Sequence, residues 1–178
     1  MIMGRGKFDF NMVAARRAAR LVAVQVLYEI EISEKPVDGV LEETKLRSQH
    51  LDIGINDEID DRLALPPVET DMDFCGELVR GVNANRYSID EVIKRAMGVN
   101  RAAEQLEAVL RAILRAGAFE LGQRLDIDPP ITISEFVMLA ERFFSEREAA
   151  LVNGLLDRIA RDLRPDEMTR MHFNARQR

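Results

Sequence analysis

The amino-acid sequence predicts an all-α protein with about seven helices, and three observations support this. Apolar residues recur at the period of an α-helix in several segments. Residues that favour helix starts stand before many of these segments, and no segment shows the strict alternation of a β-strand. The chain has 178 residues, which is enough for one domain with a sizeable core or for two small subdomains.

The first predicted helix is the strongest and covers about residues 14–32. It contains no Gly or Pro and ends before a breaker at Ser33–Pro36. Its apolar side chains cover most of the circumference, which is typical of a buried helix. These are Leu21, Val22, Val24, Val26, Leu27 and Ile30. Residues 1–13 have no such period and contain two glycines, so we predict a mobile basic arm there.

The rest of residues 14–164 is predicted to complete one helical domain. It includes an acidic surface loop at 48–70 with one glycine and two prolines, and a frayed tail follows at 165–178. Six further helices are predicted. Three are placed by their apolar pattern, at 37–46 (a weak one), 101–121 and 146–163. The other three are placed by their starts, at the N-cap Asp71 and at capping boxes Ser88–Glu91 and Thr132–Glu135.

Composition limits where this protein works. Apolar residues make up 47% and charged residues 31%, the balance of an ordinary soluble globular protein. No apolar run approaches the roughly 18 residues that span a bilayer, and the start lacks the apolar core of a secretory signal. The single cysteine, Cys75, cannot form an internal disulfide and is predicted to be a small core residue. We therefore expect a cytoplasmic protein without a membrane segment.

The sequence offers no recognisable catalytic or metal-binding motif. The two histidines, His50 and His172, stand far apart, and neither belongs to a metal-ligand pattern. There is no glycine-rich phosphate loop, and nothing resembles a nucleophile beside its base. We therefore expect a non-enzyme that holds no metal and no cofactor.

The net charge is −6, yet the start of the first predicted helix is basic. Arg16, Arg17 and Arg20 fall within one arc of roughly 100° on a helix. A helix start also carries unsatisfied backbone N–H groups, so the three guanidinium groups would reinforce an anion site suited to phosphate. Tyr28 continues this sector two turns later, where it would stack on a base or meet a protein partner. Alternatively, the arginines only pair with acids of residues 41–73.

Five blocks of the sequence, in order, resemble the NusB family. The first is AARRAARLVAVQVLYE at 14–29, with an Arg-rich start followed by Gln25 and the pair Leu27–Tyr28. The others are FCGELVRGV with SIDEVI, then VLRAILRAGAFEL, ITISEFVMLAERF and LVNGLLDRIA. Each block alone is a weak signal, but together they cover most of residues 14–164 and are specific.

The resemblance implies an α-helical fold of two small subdomains and a non-catalytic role in transcription antitermination. NusB proteins bind the boxA element of nascent RNA, notably in ribosomal RNA leaders, as a heterodimer with the ribosomal protein NusE. They do so within an elongation complex that also holds NusA, NusG and RNA polymerase. By this resemblance we expect Arg16, Arg17, Arg20 and Asn153 to bind RNA, and Tyr28 to contact a partner protein.

Three other residues, Gly154, Arg111 and Arg115, carry structural expectations. Gly154 matches the family, and a Gly inside a helix costs about 1 kcal/mol, so it implies close approach of another backbone or of RNA. Of these two, the structural reason is preferred. Arg111 and Arg115 are expected to be structural and to pair with acids such as Glu107 or Glu120.

The sequence also departs from the family near its last block. Leu151 stands where the family often has an aromatic residue, and Ala149 and Ala150 stand where it often has polar or basic ones. The alternative function is therefore a helical protein–protein scaffold with weak or no RNA binding. An RNA cytosine methyltransferase with a NusB-like domain is disfavoured, because its catalytic half needs a parallel sheet and a nucleophilic cysteine. Cys75 lies instead within a helical apolar stripe.

Overall fold

The structure is a computed structural model that describes residues 5–50, 69–98 and 105–169, with the side chains of 12–47, 69–98 and 105–169. Within these ranges the backbone forms seven helices, a short further helical segment and no strand, which confirms the predicted all-α class. The chain divides into two compact units, residues 1–83 and 84–178. No helix in the described ranges is both long enough and apolar enough to cross a membrane.

The first unit contains α1 (Arg5–Ser33), α2 (Val37–His50) and α3 (Met72–Ala84). The middle of α1, from Ala18 to Leu27, is buried as predicted, and α2 packs against α1. The buried apolar residues of α1 are Ala18, Ala19, Leu21, Val22, Ala23, Val24, Val26 and Leu27. α1 ends at the predicted breaker, where Glu34 adopts a left-handed backbone with φ 55°.

α3 begins at the N-cap that the sequence predicts. The backbone N–H of Phe74 donates to Oδ1 of Asp71 at 2.9 Å, which satisfies one of the unpaired N–H groups of the helix start. Asp71 also ties this start to α1, because its own N–H donates to the carbonyl of Ala15 at 3.3 Å. The neighbouring Cys75 is fully buried, as predicted.

The second unit contains α4 (Arg86–Met97), α5 (Ala108–Gln123), α6 (Pro129–Phe143) and α7 (Glu146–Leu163). α5 packs against the other three helices and is buried on nearly every side. Gly117 permits this packing, because a Cβ at this position would lie 2.9 Å from Cδ2 of Leu156 and 3.3 Å from Cδ2 of Phe136. α7 has the bounds that the sequence predicts.

Polar contacts connect α5 to its neighbours. Arg115 binds both carboxylate oxygens of Asp90 in α4, at 2.7 and 2.9 Å. Glu120, which is fully buried, accepts a hydrogen bond from Oγ1 of Thr132 in α6 at 2.7 Å. The predicted structural role of Arg115 is confirmed, and Asp90 is a partner that the sequence did not indicate. Arg111 donates a hydrogen bond to the backbone carbonyl of Leu106 at 2.6 Å.

Several boundaries differ from the prediction. α1 begins at Arg5, so residues 5–13 are helical rather than an arm, since no residue after Gly6 in this stretch breaks a helix. α2 continues to His50, into the predicted loop at 48–70, and residues 51–68 of that loop lie outside the described ones. α5 begins only at Ala108, because Glu107 has an extended backbone (φ −57°, ψ 143°).

Neither predicted capping box forms. Ser88 lies inside α4, and its hydroxyl donates to the carbonyl of Asn85 at 2.9 Å. Thr132 lies inside α6 and is fully buried against Glu120. α6 starts instead with Pro129, a position where the missing N–H removes no helical hydrogen bond.

The start of the predicted frayed tail is ordered against the second unit. Residues 165–169 are helical, and Met168 is only 7% exposed. Arg164 explains this, because its buried guanidinium donates to the carbonyl of Ile127 at 2.7 Å and to Glu167 at 2.8 Å. Residues 170–178 of the predicted tail lie outside the described ones.

Candidate nucleic-acid interface

The three arginines of α1 that the sequence singles out have different surroundings. Arg17 is exposed, and the side chain of Arg16 is 32% exposed. Arg20 is only 4% exposed. Arg16 and Arg17 are therefore the two guanidinium groups of this cluster that a ligand in solution can reach.

Phe74 of α3 joins Arg16 to Arg20. The guanidinium carbon of Arg16 lies 5.4 Å from the centre of the Phe74 ring, and that of Arg20 lies 5.3 Å from it. Both distances are within the range of a cation–π interaction. The ring is 3% exposed, so the two cations lie against a rigid aromatic side chain of the core.

Arg16 is held without using its hydrogen-bond donors. Nε of Arg16 lies 4.0 Å from Oδ2 of Asp71, at the outer limit of an ion pair. Asp71 holds its other oxygen on the N–H of Phe74, as the cap of α3. Among the described residues the Arg16 guanidinium has no hydrogen-bond partner, and its Nε is buried without one. Such a group can still bind phosphate or carboxylate through paired N–H donors.

The position of the three arginines along α1 differs from the prediction. α1 begins at Arg5, so the three arginines lie well inside the helix and not at its N-terminus. Their backbone N–H groups belong to the helical ladder, and the helix dipole acts only within the end turns. The predicted anion site at a helix start is therefore corrected to a set of side chains on a helix face.

The burial of Arg20 does not fit the predicted direct contact with RNA. A side chain that is 4% exposed presents almost no surface to a phosphate in solution. Its guanidinium lies against the Phe74 ring, 5.3 Å from the ring centre. The alternative prediction, that the arginines pair with acids of residues 41–73, holds in part. Arg16 faces one such acid, Asp71.

The other predicted site residues lie apart along the chain. Tyr28 is 40% exposed on α1 of the first unit, and Asn153 is exposed on α7 of the second. Gly154 is also exposed, and a Cβ built there would meet no atom within 4 Å. The preferred expectation, close approach of another backbone of this chain, is therefore wrong for Gly154.

Two residues of the cluster were not assigned to the site from the sequence. In the sequence, Phe74 stands only as the first residue of the block FCGELVRGV, and Asp71 is predicted only as a helix N-cap. The i, i+3 spacing of the two is a local signal that they face one helix end together. No local signal shows that this end lies against Arg16, because that contact joins segments separated by the acidic loop.

Cys75 and the acidic groups supply no reactive centre here. Burial raises the pKa of the Cys75 thiol to about 12, with a smaller raising effect of the Asp71 carboxylate and an opposing effect of Arg80. The thiol is therefore protonated at neutral pH and is a poor nucleophile. Across the described ranges, no group of three or more His, Cys, Asp or Glu side chains is placed to hold a metal ion.

The model of the NusB family matches residues 17–161. This chain belongs to the NusB family. The match includes Arg17, Arg20, Tyr28 and Asn153 and begins one residue after Arg16. The recognition made from the five sequence blocks is thereby confirmed.

Relatives in the family are named transcription antitermination protein NusB, a non-catalytic kind of protein. The one from Caulobacter vibrioides is 40% identical over 154 residues, which is 86% of this chain and 97% of the relative. The one from Novosphingobium aromaticivorans is 39% identical over 150 residues, with 84% and 95% of the two chains covered.

Solved structures agree on the fold. T. maritima NusB has a TM-score of 0.66 and 27% identity, and the match covers 87% of this chain and 96% of the other. A second likeness is to a structure of antitermination factors NusB and NusE with double-stranded RNA, at a TM-score of 0.63 over 82% and 96% of the chains. At 20% identity this second likeness establishes the fold alone.

Proposed function

We propose that this member of the NusB family is a non-catalytic transcription antitermination factor that binds boxA-type single-stranded RNA together with the ribosomal protein NusE. The complex acts in transcription elongation with NusA, NusG and RNA polymerase. Family membership and the names of the relatives support the antitermination role. The solved NusB–NusE complex with RNA makes NusE and RNA the first partners to test.

The proposal rests mainly on the orientation of Arg16 and on its unused hydrogen-bond donors. Its guanidinium is oriented by the Phe74 ring at 5.4 Å, yet within the described residues it has no hydrogen bond. The ion pair with Asp71 at 4.0 Å is long enough to be replaced by a phosphate oxygen at normal hydrogen-bond distance. An oriented cation with unused donors is suited to a polyanion.

The other site residues take roles that fit their exposure. Arg17, exposed beside Arg16, contacts a second phosphate. Arg20 keeps the Phe74 ring in place from the buried side and contributes positive potential. Asn153, exposed on α7, offers an amide donor and acceptor to RNA, and Tyr28, 40% exposed on α1, contacts NusE.

A second candidate function is a helical scaffold that binds proteins and has weak or no RNA affinity. Two observations favour it: Arg16 already faces Asp71, and Arg20 is buried. It predicts that NusE binds this protein but that the complex has no preference for boxA RNA.

Mixing the purified chain with NusE tests the proposal. We expect one complex at micromolar concentration by gel filtration, and tighter binding to a boxA RNA than either protein shows alone. A scrambled RNA of the same length and base composition is the control. Separate elution with unchanged RNA affinity on mixing would refute the proposal, and a stable complex that binds both RNAs equally weakly would favour the scaffold.

A further inference from the structure

The exposed face of α4 concentrates positive charge in a chain whose net charge is −6. Arg86, Lys94 and Arg95 are all exposed on this helix. Neither Arg86 nor Arg95 has a hydrogen-bond or ion-pair partner among the described residues. These two guanidinium groups therefore offer their donors to solvent or to a ligand.

The acids of α4 do not cancel this charge. Asp90 lies toward the core, where its carboxylate binds the buried Arg115 at 2.7 and 2.9 Å. Glu91 forms an exposed pair with Lys94 at 3.4 Å, of a kind that holds its partners weakly. The exposed face of α4 thus carries three cations and one acid. Its net charge is positive, whereas that of the whole chain is negative.

An aromatic residue lies among these cations. Tyr87 is 82% exposed, the largest exposed fraction of any large apolar or aromatic side chain in the described residues. Tyr87 and Lys94 are seven positions apart, so on a helix they lie within about 20° of each other and about 10 Å apart along the axis. Alternation of exposed aromatic rings and cations is typical of surfaces that stack bases and follow a phosphate backbone.

We propose that this face of α4, with Tyr87 at its centre, is a second contact surface for single-stranded RNA. A base stacks on the Tyr87 ring, while Arg86, Lys94 and Arg95 bind the flanking phosphates. The charge favours RNA over a protein partner, because protein interfaces have a core poor in charge and this face has one ring among charged residues. The inference rests on the proposed RNA-binding function and adds a site on the second unit.

The affinity of the full chain with NusE for boxA RNA tests this, using Tyr87→Ala and Arg86→Ala. We expect Tyr87→Ala to weaken binding about fivefold or more, the usual effect of losing one stacked base. We expect Arg86→Ala to reduce the slope of log affinity against log salt by about 0.7. The matched controls are Leu125→Ala, an apolar side chain 68% exposed, and Arg147→Ala, an exposed arginine in the first turn of α7.

A direct readout uses the two tyrosines of this chain, which has no tryptophan. Fluorine-labelled tyrosine gives one NMR signal for Tyr28 and one for Tyr87, and Tyr28→Phe identifies them. We expect the Tyr87 signal to shift when RNA is added to the complex with NusE. A shift on adding NusE alone, with none on adding RNA, would overturn the proposal in favour of a protein-binding face.

The outcomes separate this inference from the proposed function. Equal losses for Arg147→Ala and Arg86→Ala would overturn it, because the effect would then come from net charge. If Arg16 and Arg17 variants weaken RNA binding while Tyr87→Ala and Arg86→Ala leave it unchanged, only the α4 surface fails. If the wild-type complex binds no RNA, both fail. Thermal melting of each variant confirms that it is folded.

Discussion

The Arg16 guanidinium lies 5.4 Å from the centre of the Phe74 ring, and Arg20 approaches the same ring at 5.3 Å. One core phenylalanine thus orients an accessible cation and a buried one. A cation–π interaction is worth about 0.5–2 kcal/mol, depending on exposure, which is enough to restrict a flexible arginine side chain. The contact joins α1 to α3, so the orientation of Arg16 depends on the packing of the first unit.

Replacing Phe74 with Leu tests this orientation. The change keeps an apolar side chain but removes the ring, so we expect RNA affinity to fall about two- to fivefold from the lost cation–π interaction. The matched control is Phe136→Leu in the second unit, a fully buried ring with no cation against it among the described residues. Both variants lose some stability, but an equal effect of the two on RNA binding would contradict the role of Phe74.

The pair Arg115–Asp90 is predicted to contribute strongly to the stability of the second unit. Its side chains are 6% and 17% exposed, and removing one partner of such a pair costs about 3–5 kcal/mol because the other charge stays buried. We expect Arg115→Met to lower the free energy of unfolding by this amount in urea. The double variant Arg115→Met with Asp90→Asn should recover part of the loss.

Arg161→Met is the control for that experiment. Arg161 pairs with Asp157 one turn away at 2.8 Å, and both side chains are exposed. A helical pair of this kind contributes about 0.3–0.5 kcal/mol. Similar losses for the Arg115 and Arg161 variants would show that burial of the first pair has no energetic consequence.

Two helical glycines should respond to Ala in opposite directions. A Cβ at Gly154 would meet no atom within 4 Å, so Gly154→Ala should raise the free energy of unfolding by up to about 1 kcal/mol. At Gly117 it would lie 2.9 Å from Leu156, so Gly117→Ala should destabilise the protein. Urea unfolding of both variants measures the two signs. Destabilisation by Gly154→Ala would contradict the open space around this residue.

The buried thiol predicts a loss of stability in alkali. The folded chain keeps the Cys75 proton up to its pKa of about 12, while the unfolded chain loses it near about 8.5. Between these values only the unfolded state is ionised, so this group lowers the free energy of unfolding as pH rises, by about 1.4 kcal/mol per pH unit. The profile of Cys75→Ala should be shallower over this window. Parallel profiles for the two proteins would contradict the burial of the thiol.

Much of the fold follows from the sequence because long apolar stripes decide helix identity. The bounds of α7 and the end of α1 agree with the pattern, since Pro165 and the Ser33–Pro36 breaker are local signals. The capping box predicted at Thr132 does not form, because the hydroxyl of Thr132 donates a hydrogen bond to Glu120 of another helix. A tertiary contact of this kind cannot be read from local spacing.

The arginines of the candidate site were predictable from the sequence, but Phe74, Asp71 and the geometry that they impose were not. Arg16 and Arg17 were identified from their types and shared arc, and they are accessible. The burial of Arg20 was not predictable, because it depends on the position of Phe74, far away in the chain. α1 begins at Arg5, so the helix dipole does not act at the three arginines. This start was not predictable, because helix starts without Pro or a strong cap have weak sequence signals.

Whether Arg16 and Arg17 bind RNA phosphates is decided by the salt dependence of boxA RNA binding for the double variant Arg16→Ala with Arg17→Ala, measured with NusE present. A control of equal charge is Arg147→Ala with Arg161→Ala, two exposed arginines of α7. If both α1 arginines bind phosphates, the slope of log affinity against log salt should fall by about 1.4 in the first variant, or about 0.7 per contact. The control should keep the wild-type slope, and both proteins should remain folded by thermal melting. An unaltered slope with a lower melting temperature in the α1 variant would mean that these arginines serve only to hold α1 against Asp71 and Phe74, and would contradict their assignment to RNA.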